Sequence, residues 1–301
     1  MNLILEEPKS SFDELVEKMI QISKEKPLLP EKFIPWNDDP DENTHFLPVK
    51  LISLHGHALW HNLTKRQQIE LGRLEVVQVM YSYAWSETLA CHFFNRHLLS
   101  LDPNTQEYRF LIRESIEEYR HQEMFGMAIS KLQRNPILPS GISRFLAHTT
   151  VKFLPSSLVF LSVLSVEMMA DIYAKHIRKD PTVYSVLRKL SELHHIEEGR
   201  HIFYTKHLLK KYTENTGFIK ASFYSVFILA NIAFMKSLYI QKRFFNDIGV
   251  NDPMQYYKIA KKNNNRKFAE LALEEIVKFV ESFNGMNWLT KPIWKWILKI
   301  K

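Results

Sequence analysis

The sequence predicts an all-α bundle, and three observations carry that prediction. Glycine is scarce: 8 in 301 residues, about 2.7 % against an average usage near 7 %. Gly-rich phosphate loops and folds made of many tight β-turns are disfavoured, because both need backbone conformations that only Gly adopts cheaply. From Thr64 onward, apolar residues recur at helical spacing through long stretches. The breaks between those stretches fall at Pro-marked turns: Asp102-Pro103-Asn104, Asn135-Pro136 and Asp180-Pro181.

Residues 1–63 form an irregular arm expected to pack on the bundle. Ser11 to Ser23 suits a helix, with Phe12, Leu15, Met19 and Ile22 at helical spacing. Pro27, Pro30, Pro35, Pro40 and Pro48 then interrupt regular structure. Residues 64–301 form the helical domain. Thr64 reads as an N-cap with Gln67 as its capping-box partner, and that helix runs to about Leu99. A second helix covers Gln106 to Leu132, and a crossover from Pro136 to Pro155 has room for a short helix. A third spans Ser156 to Ile177, a fourth about Thr182 to Lys211 and a fifth Phe218 to Phe245. A sixth starts at Pro253 or Lys262 and ends near Phe283. No internal repeat stands out.

Composition excludes several classes of function. The lone cysteine, Cys91, rules out an intramolecular disulfide framework and a thiolate metal cage. The N-terminal residues turn acidic at Glu6 and Glu7, unlike a signal peptide. The longest uncharged apolar run, Ala221 to Met235, is 15 residues, short of the roughly 20 that a membrane span needs. A soluble, cytoplasmic protein is expected. The net charge of +7 is spread along the chain without zinc-finger spacing or an RNA-binding signature, so nucleic acid is not an expected partner.

Thirteen histidines are the lead. Glu-x-x-His puts a carboxylate and an imidazole on one side of a helix, where both can bind a metal cluster. With 24 Glu and 13 His in 301 residues, chance gives about one such pair. Four occur: Glu42/His45, Glu118/His121, Glu192/His195 and Glu198/His201. The first lies between Pro40 and Pro48 in the arm and reads as chance. The richest context is His194-x-x-x-Glu198-x-x-His201, whose angular offsets of about 0°, 40° and −20° form one stripe over two turns. Glu192/His195 lies about 100° around that helix. Two further helices supply a lone acid in an apolar setting, Glu87 and Glu167, and an acid buried there needs a metal, a cation or a proton.

Hairpin arithmetic brings these groups level. Glu87 lies 17 residues before Asn104, and Glu118 and His121 lie 14 and 17 after it; Glu167 lies 13 before Asp180, and His194 lies 14 after it. Two helices giving one Glu each, with two more giving Glu-x-x-His, is the pattern of the ferritin-like dinuclear carboxylate bundle. Carboxylate and imidazole donors suit iron, with manganese possible.

The motifs Glu87, Glu118-x-x-His121, Glu167 and His194-x-x-x-Glu198-x-x-His201, over residues 65–210, resemble those of the non-haem di-iron N-oxygenases typified by the p-aminobenzoate N-oxygenase of aureothin biosynthesis. The resemblance implies two iron ions. Glu87 and Glu167 would be terminal ligands and Glu118 and Glu198 bridges, with His121 on the first iron and His194 and His201 on the second. It also implies an O2-dependent oxygenase that acts on the amine of a small substrate, aromatic ones included, through a peroxo-diferric intermediate. An external electron donor and a homodimer come with it, and no catalytic residue beyond the metal ligands. Di-iron hydroxylation or desaturation of a small or carrier-bound metabolite, a ferroxidase or iron-binding protein, and a metal-free helical scaffold remain open alternatives.

Other residues get plainer readings. Glu117, Glu197 and His195 are expected to face away from the site, and His55, His57 and His61 to be surface or packing residues. Cys91 reads as a buried structural thiol, while Tyr83 and Asp171 are candidate partners of ligand carboxylates. The tail Trp288 to Lys301, with Lys291, Lys295 and Lys299, is expected to dock its aromatics on the bundle or a second subunit rather than on a membrane, so membrane contact is not expected.

Overall fold

The computed structural model describes residues 12–298, so the Ser11 helix start and Lys299 lie outside the described residues. The architecture is an all-α bundle; among the described residues the one β feature is an isolated bridge between His45 and Val183. The arm carries α1 (Phe12–Glu25), α2 (Pro30–Phe33) and α3 (Ala58–His61). The helical domain carries α4 (Lys65–Leu98), α5 (Gln106–Leu132), α6 (Gly141–Phe153), α7 (Ser156–Ile177), α8 (Ser185–Thr213), α9 (Phe218–Tyr239), α10 (Lys242–Asp247), α11 (Pro253–Glu281) and α12 (Thr290–Leu298).

Local chemistry explains most of the helix boundaries. Thr64 accepts from the Gln67 backbone N–H while the Gln67 side chain accepts from the Thr64 N–H, a complete capping box for α4. Thr105 caps α5, and Asp252 caps α11 with Pro253 in its first turn. The fourth long helix begins at Ser185 rather than Thr182, because the backbone there is bonded to the arm. His45 donates to the Thr182 carbonyl at 3.1 Å, and Tyr184 donates back to the His45 carbonyl at 2.8 Å. The expected Phe218 to Phe245 helix is two helices. Ile240 and Gln241 are extended (φ −113° and −120°), and the Gln241 amide donates to the Leu238 carbonyl at 2.8 Å. No Pro or Gly announces that break.

Two consecutive helix pairs, α4 with α5 and α7 with α8, form the heart of the molecule. They close on each other through α4 with α7 and α5 with α8. Phe93 and Phe94 of α4 are fully buried, with Phe93 meeting Phe160 of α7 edge-on at 4.8 Å. Each such side chain contributes about 1.5–3 kcal/mol of burial. α9 covers α4 and α7 on one side, and α6 lies along α4. The arm is tied to this core by polar contacts, including Arg113 to the Ser23 carbonyl at 2.9 Å and Asn263 to the Ser53 carbonyl at 2.7 Å.

Two segments, Ser156–Ile177 and Phe218–Asp247, are long and apolar enough by composition to cross a membrane. Charged residues, Glu167 in the first and Lys220, Lys236 and Lys242 in the second, interrupt both, so neither forms one long uncharged run. The Ser156–Ile177 window is 83 % buried, the position of a core helix, and it carries the buried acids Glu167 and Asp171. In the tail, Trp294 is buried and donates to Ser225 Oγ at 2.9 Å. Trp296 stays exposed, as does Trp288, which stacks on Phe218.

Candidate metal centre

The seven residues singled out from the sequence converge at mid-bundle, and all are buried. Glu87 comes from α4, Glu118 and His121 from α5, Glu167 from α7, and His194, Glu198 and His201 from α8. Their ligand-type atoms fall into two groups, each mutually within 4.8 Å: Glu87, His121, His194 and Glu198 in one, and Glu114, Glu118, Glu167 and His201 in the other.

Glu118 and Glu198 lie between the groups. Glu118 is 3.7 Å from His121 Nδ1 and 3.0 Å from His201 Nδ1. Glu198 Oε1 is 3.2 Å from His194 Nε2, 3.5 Å from His121 Nδ1 and 3.7 Å from His201 Nδ1. His194 stands beside Glu87, 3.2 Å away, and it shares Glu198 Oε1 with His201, at 3.2 and 3.7 Å.

Glu114 was not foreseen. It is one turn before Glu118 and two before His121, so α5 presents Glu114-x-x-x-Glu118-x-x-His121 as the counterpart of the α8 stripe. The matching i, i+4, i+7 spacing was the available signal. A short repeat was also missed. Glu117-Glu118-Tyr119-Arg120-His121 and Glu197-Glu198-Gly199-Arg200-His201 share the pattern Glu-Glu-x-Arg-His, and the first Glu of each faces inward, not away. Glu117 and Glu197 are only 2 % and 1 % exposed.

The two copies fasten each other. Glu117 accepts from His201 Nε2 and from Arg200, both at 2.8 Å. Glu197 accepts from His121 Nε2 and from Arg120, both at 2.9 Å. Because each Nε2–H is engaged by a carboxylate, the lone pair of each imidazole lies on Nδ1, which faces the cluster. A ligand histidine is oriented in this way by its outer partner.

The electrostatics of the group are those of a cation site. Burial pushes the Glu87 and Glu167 carboxyls well above their ordinary range, with Glu118 adding to the first and Glu198 to the second. Burial raises Glu114 to about 8 and lowers His194 to about 4, keeping that ring neutral. Burial opposes ionised Glu118 too, but the neighbouring His121 and His201 rings hold its carboxyl below the usual range. Both oxygens of Glu114 and of Glu167, and one each of Glu87, Glu118 and Glu198, are buried without a hydrogen-bond partner, as are Nδ1 of His121 and of His201. Unsatisfied buried polar atoms are costly. Carboxylate oxygens and imidazole lone pairs aimed at common points are what a pair of divalent cations requires.

A cavity of about 440 Å³ opens on this cluster. Ala147 and Thr150 of α6, Val159 and Val163 of α7, and Phe227 and Phe234 of α9 line its walls, while Glu87, Glu118, Glu167, His194 and Glu198 form its floor.

The remaining candidates have other roles. Asp171 pairs with His195 and with Lys175 (2.8 Å), not with Glu167. Tyr83 lines the cavity, but its hydroxyl lies near the Met169 carbonyl (3.5 Å) and Tyr239 (3.3 Å), not Glu87. Cys91 is buried, and burial raises its thiol pKa. His57 accepts from the Leu59 N–H at the start of α3, and His55 meets Trp60 edge-on. Glu192 pairs with Lys189. His45, 7 % exposed, lies 2.8 Å from Lys65 Nζ, while Glu42 is exposed.

Residues 9–284 match the family described as P-aminobenzoate N-oxygenase AurF. Uncharacterized proteins of Mycobacterium bovis and of two strains of Mycobacterium tuberculosis are 25 % identical to the chain over 161 residues, or 52 % of this chain and 47 % of each relative. The chain thus spans about half the length of the curated relatives it matches.

Proposed function

The chain belongs to the p-aminobenzoate N-oxygenase family, and from that premise we propose that it is a di-iron oxygenase that oxidises the nitrogen of a small amine with O2. The observation that carries this reading is the pairing of two buried donor groups, joined through Glu118 and Glu198, with an apolar cavity that ends on them. A bound pair of iron ions would supply the redox chemistry with O2.

The chain's own residues supply the rest. Glu87, Glu114, Glu118, Glu167 and Glu198 provide negative charge to hold the cations, and His121, His194 and His201 provide neutral donors. Glu117 and Glu197 fix the tautomer and orientation of His201 and His121. The apolar walls exclude water from the reacting nitrogen and orient the amine over the floor of the cavity. For a primary amine going to a hydroxylamine, one oxygen atom of O2 enters the product. The other leaves as water, with two electrons and two protons from an external donor and solvent. The cavity favours this reading over iron storage, which has no use for a largely apolar chamber beside the metal ligands.

Metal analysis of the purified protein is the first test. About two iron ions per chain are expected, with less after Glu118→Ala or His201→Ala. Turnover of the reduced protein with O2 and a panel of amines is the second, read as hydroxylamine or nitro product. A chain without metal would refute the di-iron site. Iron and O2 uptake without amine oxidation would favour the hydroxylase or ferroxidase alternative.

A further inference from the structure

The family takes its description from an amine that carries a carboxylate, and the cavity of this chain is poorly built to receive one. Among the described residues, no Lys or Arg lines it. Two of the basic side chains nearest in sequence to its walls have partners of their own. Lys236 points to the Asn265 carbonyl (3.5 Å) and the Phe268 ring (4.3 Å to its centre), and Lys152 lies over Phe153. Arg144 is exposed, near Tyr81.

The polar wall atoms are not arranged for an anion either. Ser86, Thr150 and Ser162 each donate their hydroxyl proton to a carbonyl of their own helix: Ser82, Leu146 and Leu158 respectively. The Ser143 hydroxyl is paired with Ser140. Asn231 gives one amide hydrogen to the Phe227 carbonyl at 2.8 Å. What stays free is neutral: the rest of the Asn231 amide and the Trp85 indole.

The floor adds no positive surplus. Two divalent cations bring four positive charges, and the carboxylates Glu87, Glu118, Glu167 and Glu198 alone match them, with Glu114 in addition. A buried carboxylate without a cation or several donors pays a large desolvation penalty. A serine or threonine oxygen can still accept a hydrogen bond after donating its proton. These walls therefore suit a ligand that brings its own N–H donors.

We propose that the substrate class of this site is a neutral, largely apolar amine, and that p-aminobenzoate and similar carboxylated amines are excluded. This rests on the oxygenase reading for the word substrate, but the selectivity is a property of the cavity and is measured by binding alone.

Isothermal titration calorimetry of the full-length, metal-loaded protein with 4-propylaniline and with p-aminobenzoate tests it. The expected result is about 100-fold tighter binding of the neutral amine, the scale set by a buried unpaired charge. Ala147→Phe, at a half-buried wall position, should weaken the neutral amine about tenfold, with an unchanged circular dichroism spectrum showing that the variant is folded. Equal or tighter binding of p-aminobenzoate would overturn the proposal. So would failure of 4-propylaniline to bind, or affinity unaffected in a folded Ala147→Phe protein. Failure of the di-iron reading would appear separately, in metal content and in the absence of oxidised product.

Discussion

The reciprocal Glu117 and Glu197 contacts predict that the two ends of the cluster can be weakened one at a time. Glu117→Gln keeps the size of the side chain and removes its charge. Burial opposes the charge, but the hydrogen bond from His201 and the Arg200 guanidinium hold the Glu117 pKa down to about 2, so the native residue is ionised at neutral pH. Its bonds to His201 Nε2 and Arg200, both 2.8 Å, are charge-assisted, and such bonds are roughly twice as strong as neutral ones. Loss of an outer-shell partner of a ligand histidine costs about 10- to 100-fold in metal affinity, or roughly 1.4–2.7 kcal/mol. By the grouping of the donors, that loss falls on the end formed by Glu114, Glu118, Glu167 and His201. Glu197→Gln shifts it to the end formed by Glu87, His121, His194 and Glu198. Anaerobic titration of Fe(II) against a competing chelator reads the two binding steps. Each variant should weaken one step and leave the other near its native value, and the double variant should weaken both. Two variants that both leave the steps unchanged, or that weaken both steps alike, would refute the assignment of outer partners to separate ends.

Two further predictions concern stability. Burial lowers the Lys236 pKa from 10.5 to about 7, so between those values the unfolded chain holds a proton that the folded chain has released. Stability then rises with pH through that window, and the full penalty is present below pH 7. Lys236→Met should stabilise the protein at pH 7, on the order of a few kcal/mol, with the gain largely gone near pH 10 in urea denaturation; equal gains at both pH values would refute it. At the start of α4, Thr64→Ala removes the capping box and should cost about 1 kcal/mol, seen as a lower urea midpoint with an unchanged slope.

The helices were legible because their signals are local. Pro103, Pro136 and Pro181 mark turns, Thr64 and Gln67 mark a start, and the boundaries of α5 and α7 follow directly. The seven candidate ligands were legible because regular helical spacing sets their faces and the turn positions set their heights. Glu117 and Glu197 were not, because the sequence places them about 100° from the ligand on their own helix, and nothing local says that the facing helix brings a histidine to that side. Glu114 has a spacing signal, yet its burial depends on how α5 rolls against α8. The Ser185 start of α8 depends on a long-range contact, His45 bonding residues 182 and 184, whereas at Ile240 the cap is local, the Gln241 amide on the Leu238 carbonyl, and carries no Pro or Gly signal. Apolar walls made by α6 and α9 follow from tertiary packing alone.

The charge balance of the two shells leads to a last prediction. Arg120 and Arg200 neutralise Glu197 and Glu117, so the outer ring is balanced and leaves no positive charge for the five inner carboxylates. In the metal-free protein Glu87, Glu114 and Glu167 can stay buried only by holding protons. Burial pushes Glu87 and Glu167 far above their ordinary range and Glu114 to about 8. Burial alone would lower His121 and His201, but the carboxylates of Glu118, Glu197 and Glu117 beside them raise both. Divalent metal must therefore displace protons, and apparent affinity must rise with pH, because protons compete for the same atoms. Titrating Zn(II) into metal-free protein in weak buffer at pH 7, with an indicator dye, should release more than one proton per chain. Between pH 6 and 8 the apparent affinity should rise at least tenfold, the change expected when one net proton is released per metal over one pH unit. A pH-independent affinity with no proton release would mean that the inner carboxylates are already ionised without metal. Some other cation would then have to balance them, and the five-acid cluster would need a different explanation.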